Sequence, residues 1–98
     1  MSISLLYVDE KIVQIQVVEQ FLHRFGDFNI TSVQSGPEAL EIVRDASYDV
    51  VVSSHEIPDM DGMDLLKQIR EMKNSISLIL LSDSISEDLT TKASGNGI

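Results

Sequence analysis

Three short apolar runs in this chain end in polar pairs. Ile3 to Val8 runs into Asp9 and Glu10, Val50 to Val52 into Ser53 and Ser54, and Leu78 to Leu81 into Ser82 and Asp83. Adjacent carboxylates offer hard oxygen ligands to a divalent cation, which takes carboxylate and carbonyl oxygens together with water. Serine hydroxyls exchange hydrogen bonds, or act as nucleophiles where a base activates them. His55 follows Ser54 directly, but a continuing strand would send the two side chains to opposite faces, so it is not placed to be that base. Asp9, Glu10 and Asp83 around a cation could instead activate a water for hydrolysis, the pattern of a small metal-dependent hydrolase. No general base, lid or enclosing loop accompanies them. The plainer reading of Asp9 and Glu10 is a solvated strand end, with Glu10 placed favourably near a helix N-terminus.

The elements that must position these residues alternate in type. Ile12, Ile15, Val18, Phe21, Leu22 and Phe25 fall at helical steps, and Gly26 follows as a candidate C-cap. Asn29 to Val33 is rich in β-branched residues and reads as a strand. Ser35-Gly36-Pro37-Glu38 opens a second helix with proline near its first position, and Ala39, Leu40 and Val43 form its buried face. Val50-Val51-Val52 lacks alternation, as a strand covered on both faces does. Pro58 to Gly62 breaks this strand from a third helix, phased by Met63, Leu66, Ile69 and Arg70 and widened by Leu65. Leu78 to Leu81 is a further fully apolar strand, and a last helix begins at Ser86 or Glu87. The order βαβαβαβα predicts a parallel sheet with helices on both faces and right-handed crossovers. Such sheets bind ligands beyond the carboxyl ends of their strands, where the three polar pairs lie.

Residues 1–98 form one small domain without repeat, linker or low-complexity segment. With no cysteine, disulfides and thiolate metal sites are excluded. Sixteen acidic residues against seven basic ones give a formal charge of −9, which phosphate backbones and anionic membranes repel. No apolar run approaches the roughly 20 residues of a membrane span. Met1-Ser2-Ile3-Ser4 lacks the basic start of a signal peptide, so the expected location is cytoplasmic.

The same motifs resemble those of response-regulator receiver domains. Leu5 to Glu10 resembles the receiver opening, an apolar strand followed by an acidic pair. Asp49 to Ser54 with Pro58-Asp59-Met60-Asp61-Gly62 resembles the third strand and its Pro-x-Met-Asp-Gly loop. Ser35 to Leu40 resembles the start of the second helix, and Leu78 to Ser82 the fourth strand with its terminal hydroxyl. The resemblance spans the chain in the right order. It implies an α/β, flavodoxin-like, doubly wound parallel sheet of strand order 2-1-3-4, here lacking the fifth strand and fifth helix. It also implies a two-component phosphorelay protein, chemotaxis-receiver-like, with a histidine kinase or output domain as partner.

Four residues before the loop proline, where the family carries its phosphorylated aspartate, stands Ser54. A serine there would form at most a stable ester, so the resemblance implies a degenerate receiver that works by binding. The alternative is a conventional phosphoaccepting receiver, of a response regulator or hybrid kinase, that uses another carboxylate such as Asp9. The implied magnesium site is Asp9, Glu10 as direct ligand and the Glu56 carbonyl, weakened by the loss of a carboxylate at Ser54. Ser82 takes the place of the switch hydroxyl, and Asp83 stands where the family has a small residue. Lys92 lies in the fourth helix and does not match the family's phosphate-binding lysine. Met60 and Met63 are expected to pack, and Asp59 and Asp61 to shape the turn. Without a fifth strand, Leu78 to Leu81 would be an apolar edge, open to pairing with a second copy.

Overall fold

The computed structural model describes residues 2–83 and 86–98. Its elements are β1 (Ile3–Val8), α1 (Ile12–His23), β2 (Phe28–Val33), α2 (Gly36–Asp45), β3 (Val50–Ser54), β4 (Glu56–Ile57), β5 (Met60–Asp61), α3 (Gly62–Met72), β6 (Ser77–Leu81) and α4 (Glu87–Gly95). The four longer strands make one parallel sheet in the order β2-β1-β3-β6, while β4 and β5 form a small antiparallel ribbon. Numbered within the main sheet alone, this is the expected order 2-1-3-4. Leu5 to Val8 lie beside Val50 to Ser53, and Val50 to Ser54 beside Ser77 to Leu81, so β1, β3 and β6 end side by side.

The helix starts are written in capping residues. Ser35 Oγ accepts from the Glu38 backbone N–H at 3.3 Å and donates to Glu38 Oε1 at 3.2 Å, opening α2 with Pro37 in its first turn. Asp61 Oδ1 accepts from the Asp64 N–H at 2.8 Å to open α3, and Ser86 Oγ accepts from the Leu89 N–H at 3.0 Å to open α4. Each such cap satisfies a donor that the helix cannot pair internally, worth about 1 kcal/mol. Proline at 58 followed by Asp59 at φ 73° turns the β4–β5 ribbon, in a left-handed conformation that Asp tolerates better than most residues.

One face of the sheet packs against α2 and α3. Leu6, Val8, Val51 and Leu78 meet Ala39, Val43, Leu65, Leu66 and Ile69 there, each large side chain contributing about 1.5–3 kcal/mol by burial. Met63 is buried, and Met60 is packed at the margin of this core, as expected. Arg70 ties the C-terminal end to α3 by donating from Nη1 to the Asn74 carbonyl at 2.8 Å and from Nη2 to the Gly97 carbonyl at 2.9 Å.

Among the described residues the opposite face is covered by α1 alone. Ile15, with Val18 and Leu22, packs over Leu5, Tyr7 and Val52. The apolar spacing along 12–25 therefore overstated the buried face, because Ile12, Phe21 and Phe25 are exposed, Phe25 by 71%. At about 100° per residue, the apolar arc of α1 continues from Leu22 and Val18 past Phe21 to Val17. On the other flank Glu19 Oε1 accepts from Ser32 Oγ of β2 at 3.4 Å, so the exposed arc lies on the side of β3 and β6. Ile79 pairs with Val52 and shares that face, and both it and Leu81 are exposed. Hence β6 is buried on one face only, with Leu78 at 5% and Ile79 at 46%, although its sequence is apolar throughout.

Gly26 is not the C-cap. The helix ends at Arg24 in ordinary right-handed geometry, with the Arg24 and Phe25 N–H groups bonded to the Phe21 and Leu22 carbonyls at 3.2 and 3.0 Å. The second strand also begins one residue earlier than expected, at Phe28.

Gly62 is required for a different reason: a Cβ there would collide with the Ser54 carbonyl. A Gly62→Ala substitution is expected to lower unfolding free energy by about 2–3 kcal/mol in urea denaturation, the usual scale of overpacking. Gly95→Ala, where a Cβ meets no atom within 4 Å, should be neutral or raise it by up to about 1 kcal/mol.

Candidate functional site

The ends of β1, β3 and β6 enclose an open cleft of about 440 Å3. β1 and the turn after it supply Tyr7, Asp9, Glu10 and Lys11, the end of β3 supplies Ser54, His55 and Glu56, and the end of β6 supplies Leu81, Ser82 and Asp83. Every residue picked from the three polar strand ends for chemistry, except Ser53, is thus brought to one place. Ser53 faces the other way. It is fully buried beneath Gly62, and its hydroxyl donates to the Ser54 carbonyl at 2.9 Å.

The backbone around Ser54 is held closely. The His55 N–H donates to the Leu81 carbonyl at 2.8 Å, extending the β3–β6 ladder, and the Gly62 N–H donates to the His55 carbonyl at 2.7 Å. The strand ends at Ser54, so alternation of side chains stops there, and His55 lines the same cleft as Ser54 rather than the opposite face. Asp61 shapes the loop by capping α3, whereas Asp59 does so through its left-handed backbone. Lys92 sits on α4 beside Asp88, with Nζ 3.4 Å from Oδ2, and does not line the cleft. Among the described residues, the lysine that does line it is Lys11.

The most constrained carboxylate is Asp9, only 3% exposed. Its backbone N–H donates to the Val33 carbonyl at 3.1 Å, and Gln34 Nε2 donates to the Glu10 carbonyl at 3.1 Å, so the turn is fastened to the end of β2. Asp9 Oδ2 accepts from the Tyr7 hydroxyl at 2.7 Å, and Oδ1 accepts from the Lys11 N–H at 3.1 Å. Burial pushes the Tyr7 phenol well above its ordinary range, and the Asp9 hydrogen bond and charge push it further. Tyr7 therefore stays a donor. Sequence reasoning passed over it; the available signal was a lone aromatic residue in an aliphatic strand, two residues before Asp9 and so on its face.

The expected magnesium ligands Asp9, Glu10 and Glu56 all line this cleft. Magnesium takes near-ideal octahedral oxygen coordination, usually with one or two carboxylates free to approach it. Here both Asp9 oxygens already serve protein donors, Ser54 offers a neutral hydroxyl, and Glu10 and Glu56 are exposed. Among the described residues no three acidic or imidazole side chains converge on a common point.

Comparison with known proteins agrees with the fold and the motifs. The response regulator receiver domain family matches residues 5–98. The chain is 28% identical over 96 residues to the transcriptional regulatory protein ZraR of Escherichia coli strain K12, covering 98% of this chain and 22% of that protein. It is 34% identical over 80 residues to the two-component response regulator ORR3 of Oryza sativa subsp. indica, covering 79% of this chain and 60% of that one. It spans less than two thirds of either relative. Among solved structures, the signal receiver domain of an HD domain-containing protein from Pseudomonas fluorescens Pf-5 superposes with a TM-score of 0.88 at 28% identity, covering 99% of this chain and 77% of that one. No helix among the described residues is long and apolar enough to cross a membrane. Sheet order, cleft and matched length together make this chain a member of the response regulator receiver domain family.

Proposed function

We propose that this receiver domain serves two-component signalling as a phosphorylation-independent interaction module in the cytoplasm, without catalysing a reaction. The observation that carries the reading is Ser54: it ends β3 inside the cleft, and it presents a hydroxyl where the family chemistry needs a carboxylate. Even with His55 in the same cleft, a serine hydroxyl is a weak nucleophile and would give at most a stable ester rather than an acyl phosphate. Asp9 is a poor substitute, because it is buried and both its oxygens accept hydrogen bonds. A conventional phosphoaccepting role through another carboxylate therefore has no observation in its favour. The partner is a protein, a histidine kinase or an output domain; the charge of −9 disfavours nucleic acid.

The surface best suited to a partner lies at β6. Among the described residues this strand is an edge of the sheet and exposes Ile79 and Leu81 on the face that α1 covers, toward which side the exposed apolar flank of α1, Val17 and Phe21, also lies. Open apolar edges invite pairing, and a second copy pairing along β6 is the expected occupant. Concentrated protein should give a dimer mass by light scattering, with amide exchange at Ile79 and Leu81 slowing as dimer forms. A monomer at all concentrations with no such slowing contradicts homodimerisation.

Incubation with acetyl phosphate and magnesium should leave the intact mass unchanged. Stoichiometric gain of one phosphoryl group in a hydroxylamine-labile linkage would show an acyl phosphate and overturn the reading.

A further inference from the structure

The backbone groups of β6 divide between its two sides. The Ser77 N–H donates to the Asp49 carbonyl at 3.1 Å, and the Leu81 carbonyl accepts from the His55 N–H at 2.8 Å. In a ladder of strands the backbone groups of alternate residues face the same neighbour. Ser77, Ile79 and Leu81 therefore turn theirs to β3, and among the described residues Leu78 and Leu80 aim theirs at the open edge. Side chains alternate too. Leu78 and Leu80 pack on the face of α2 and α3, while Ile79 and Leu81 are 46% and 40% exposed on the face of α1. Residues 74–82 carry no charge and no proline to guard the edge, with Lys73 before them and Asp83 after.

We propose that two copies join β6 to β6 in an antiparallel pair centred on Ile79, so that Ile79 of each copy stands directly opposite the partner's Ile79. This rests on the homodimer reading above and adds its symmetry and register. A two-fold axis perpendicular to the sheet pairs the strands antiparallel and keeps both α1 helices on one side. The exposed Ile79 and Leu81 of both copies then form one apolar floor. An axis along the strands would put them on opposite sides, and would bring Asp83 to the partner's Asp83. Antiparallel pairing instead carries Asp83 towards the partner's Lys73. Two chains of charge −9 meet best where acids are sparse, and the α1 segment 11–26 holds Glu19 alone against Lys11 and Arg24. The register follows from the outward groups. Centred on Ile79, Leu78 exchanges both backbone hydrogen bonds with the partner's Leu80, and Leu80 with the partner's Leu78. Centring on Leu78 or Leu80 would set part of the strand against residues outside it. Ile79 then occupies a non-hydrogen-bonded pair, where side chains approach most closely.

The chain has no cysteine, so introduced cysteines report the register directly. Opposed Cα atoms about 4.5 Å apart lie within disulfide reach. Leu81 would stand ~14 Å from the partner's Leu81, four residues out of register. Ile79→Cys and Leu81→Cys, checked for folding by circular dichroism, would be oxidised with diamide where the unaltered protein scatters light as a dimer. Most of the Ile79→Cys chain should run as a disulfide-linked dimer on a non-reducing gel, and Leu81→Cys should run as a monomer. Adding Ser77→Cys to Leu81→Cys should restore the link. A dimer mass without the Ile79 link, or with Leu81 linking to itself, would overturn the register and leave the β6 dimer standing. A monomer at every concentration would overturn both. Should Ile79→Cys fail to fold, dimers mixed from isotope-labelled and unlabelled unaltered chains decide. They should show a nuclear Overhauser effect between the Ile79 methyl groups of the two copies, and its absence would overturn the register.

Discussion

The parallel register of β1, β3 and β6 is the constraint on which everything functional in this molecule depends. Because the three strands run the same way and end at the same level, polar residues dozens of positions apart become neighbours around one cleft. The register is maintained by hydrogen bonds at both ends. Below, the Asp49 N–H donates to the Ser4 carbonyl at 2.8 Å and the Ser77 N–H to the Asp49 carbonyl at 3.1 Å; above, His55 joins Leu81 and Gly62 joins His55. Gly62 permits this closure, since its missing side chain lets α3 begin directly on the Ser54 carbonyl. Site and fold thus share the same backbone contacts, and a change at Gly62 disturbs both.

Within that frame the cleft is acidic, and its buried carboxylate is hydrogen-bonded from within the chain. Asp9 is paired to a phenol and a backbone amide, and Lys11 lines the rim beside Glu10, Glu56 and Asp83. Buried carboxylates persist only where donors satisfy them, and Tyr7 and Lys11 supply those donors from within three residues of Asp9. Asp9 accordingly serves the local structure, and the same holds for Ser53, whose hydroxyl is spent on the Ser54 carbonyl.

Much of this was legible in the residues, and the failures have physical causes. The starts of α2 and α3 were readable because Ser35 and Asp61 cap them directly, a local interaction that sequence spacing records. The strand ends were readable because polar pairs interrupt apolar runs. The buried face of α1 was not, since apolar spacing shows where a helix can bury surface and not how much the rest of the chain covers. Phe21 and Phe25 keep the helical spacing yet pack mainly on each other, with ring centroids 4.8 Å apart. The β4–β5 ribbon escaped notice because two-residue strands carry no period. Tyr7 escaped because an aromatic residue in a strand reads as packing, and its second role lies in one terminal oxygen.

On the proposed reading, the cleft of this receiver domain assembles no aspartyl-phosphate site. The most direct measurement is an amide NMR titration of the unaltered protein with magnesium and beryllofluoride, an acyl-phosphate mimic that needs both a carboxylate and a cation. The resonances of Glu10, Ser54, Glu56 and Ser82 should stay where they are. A saturable, one-to-one shift of those four resonances would contradict it.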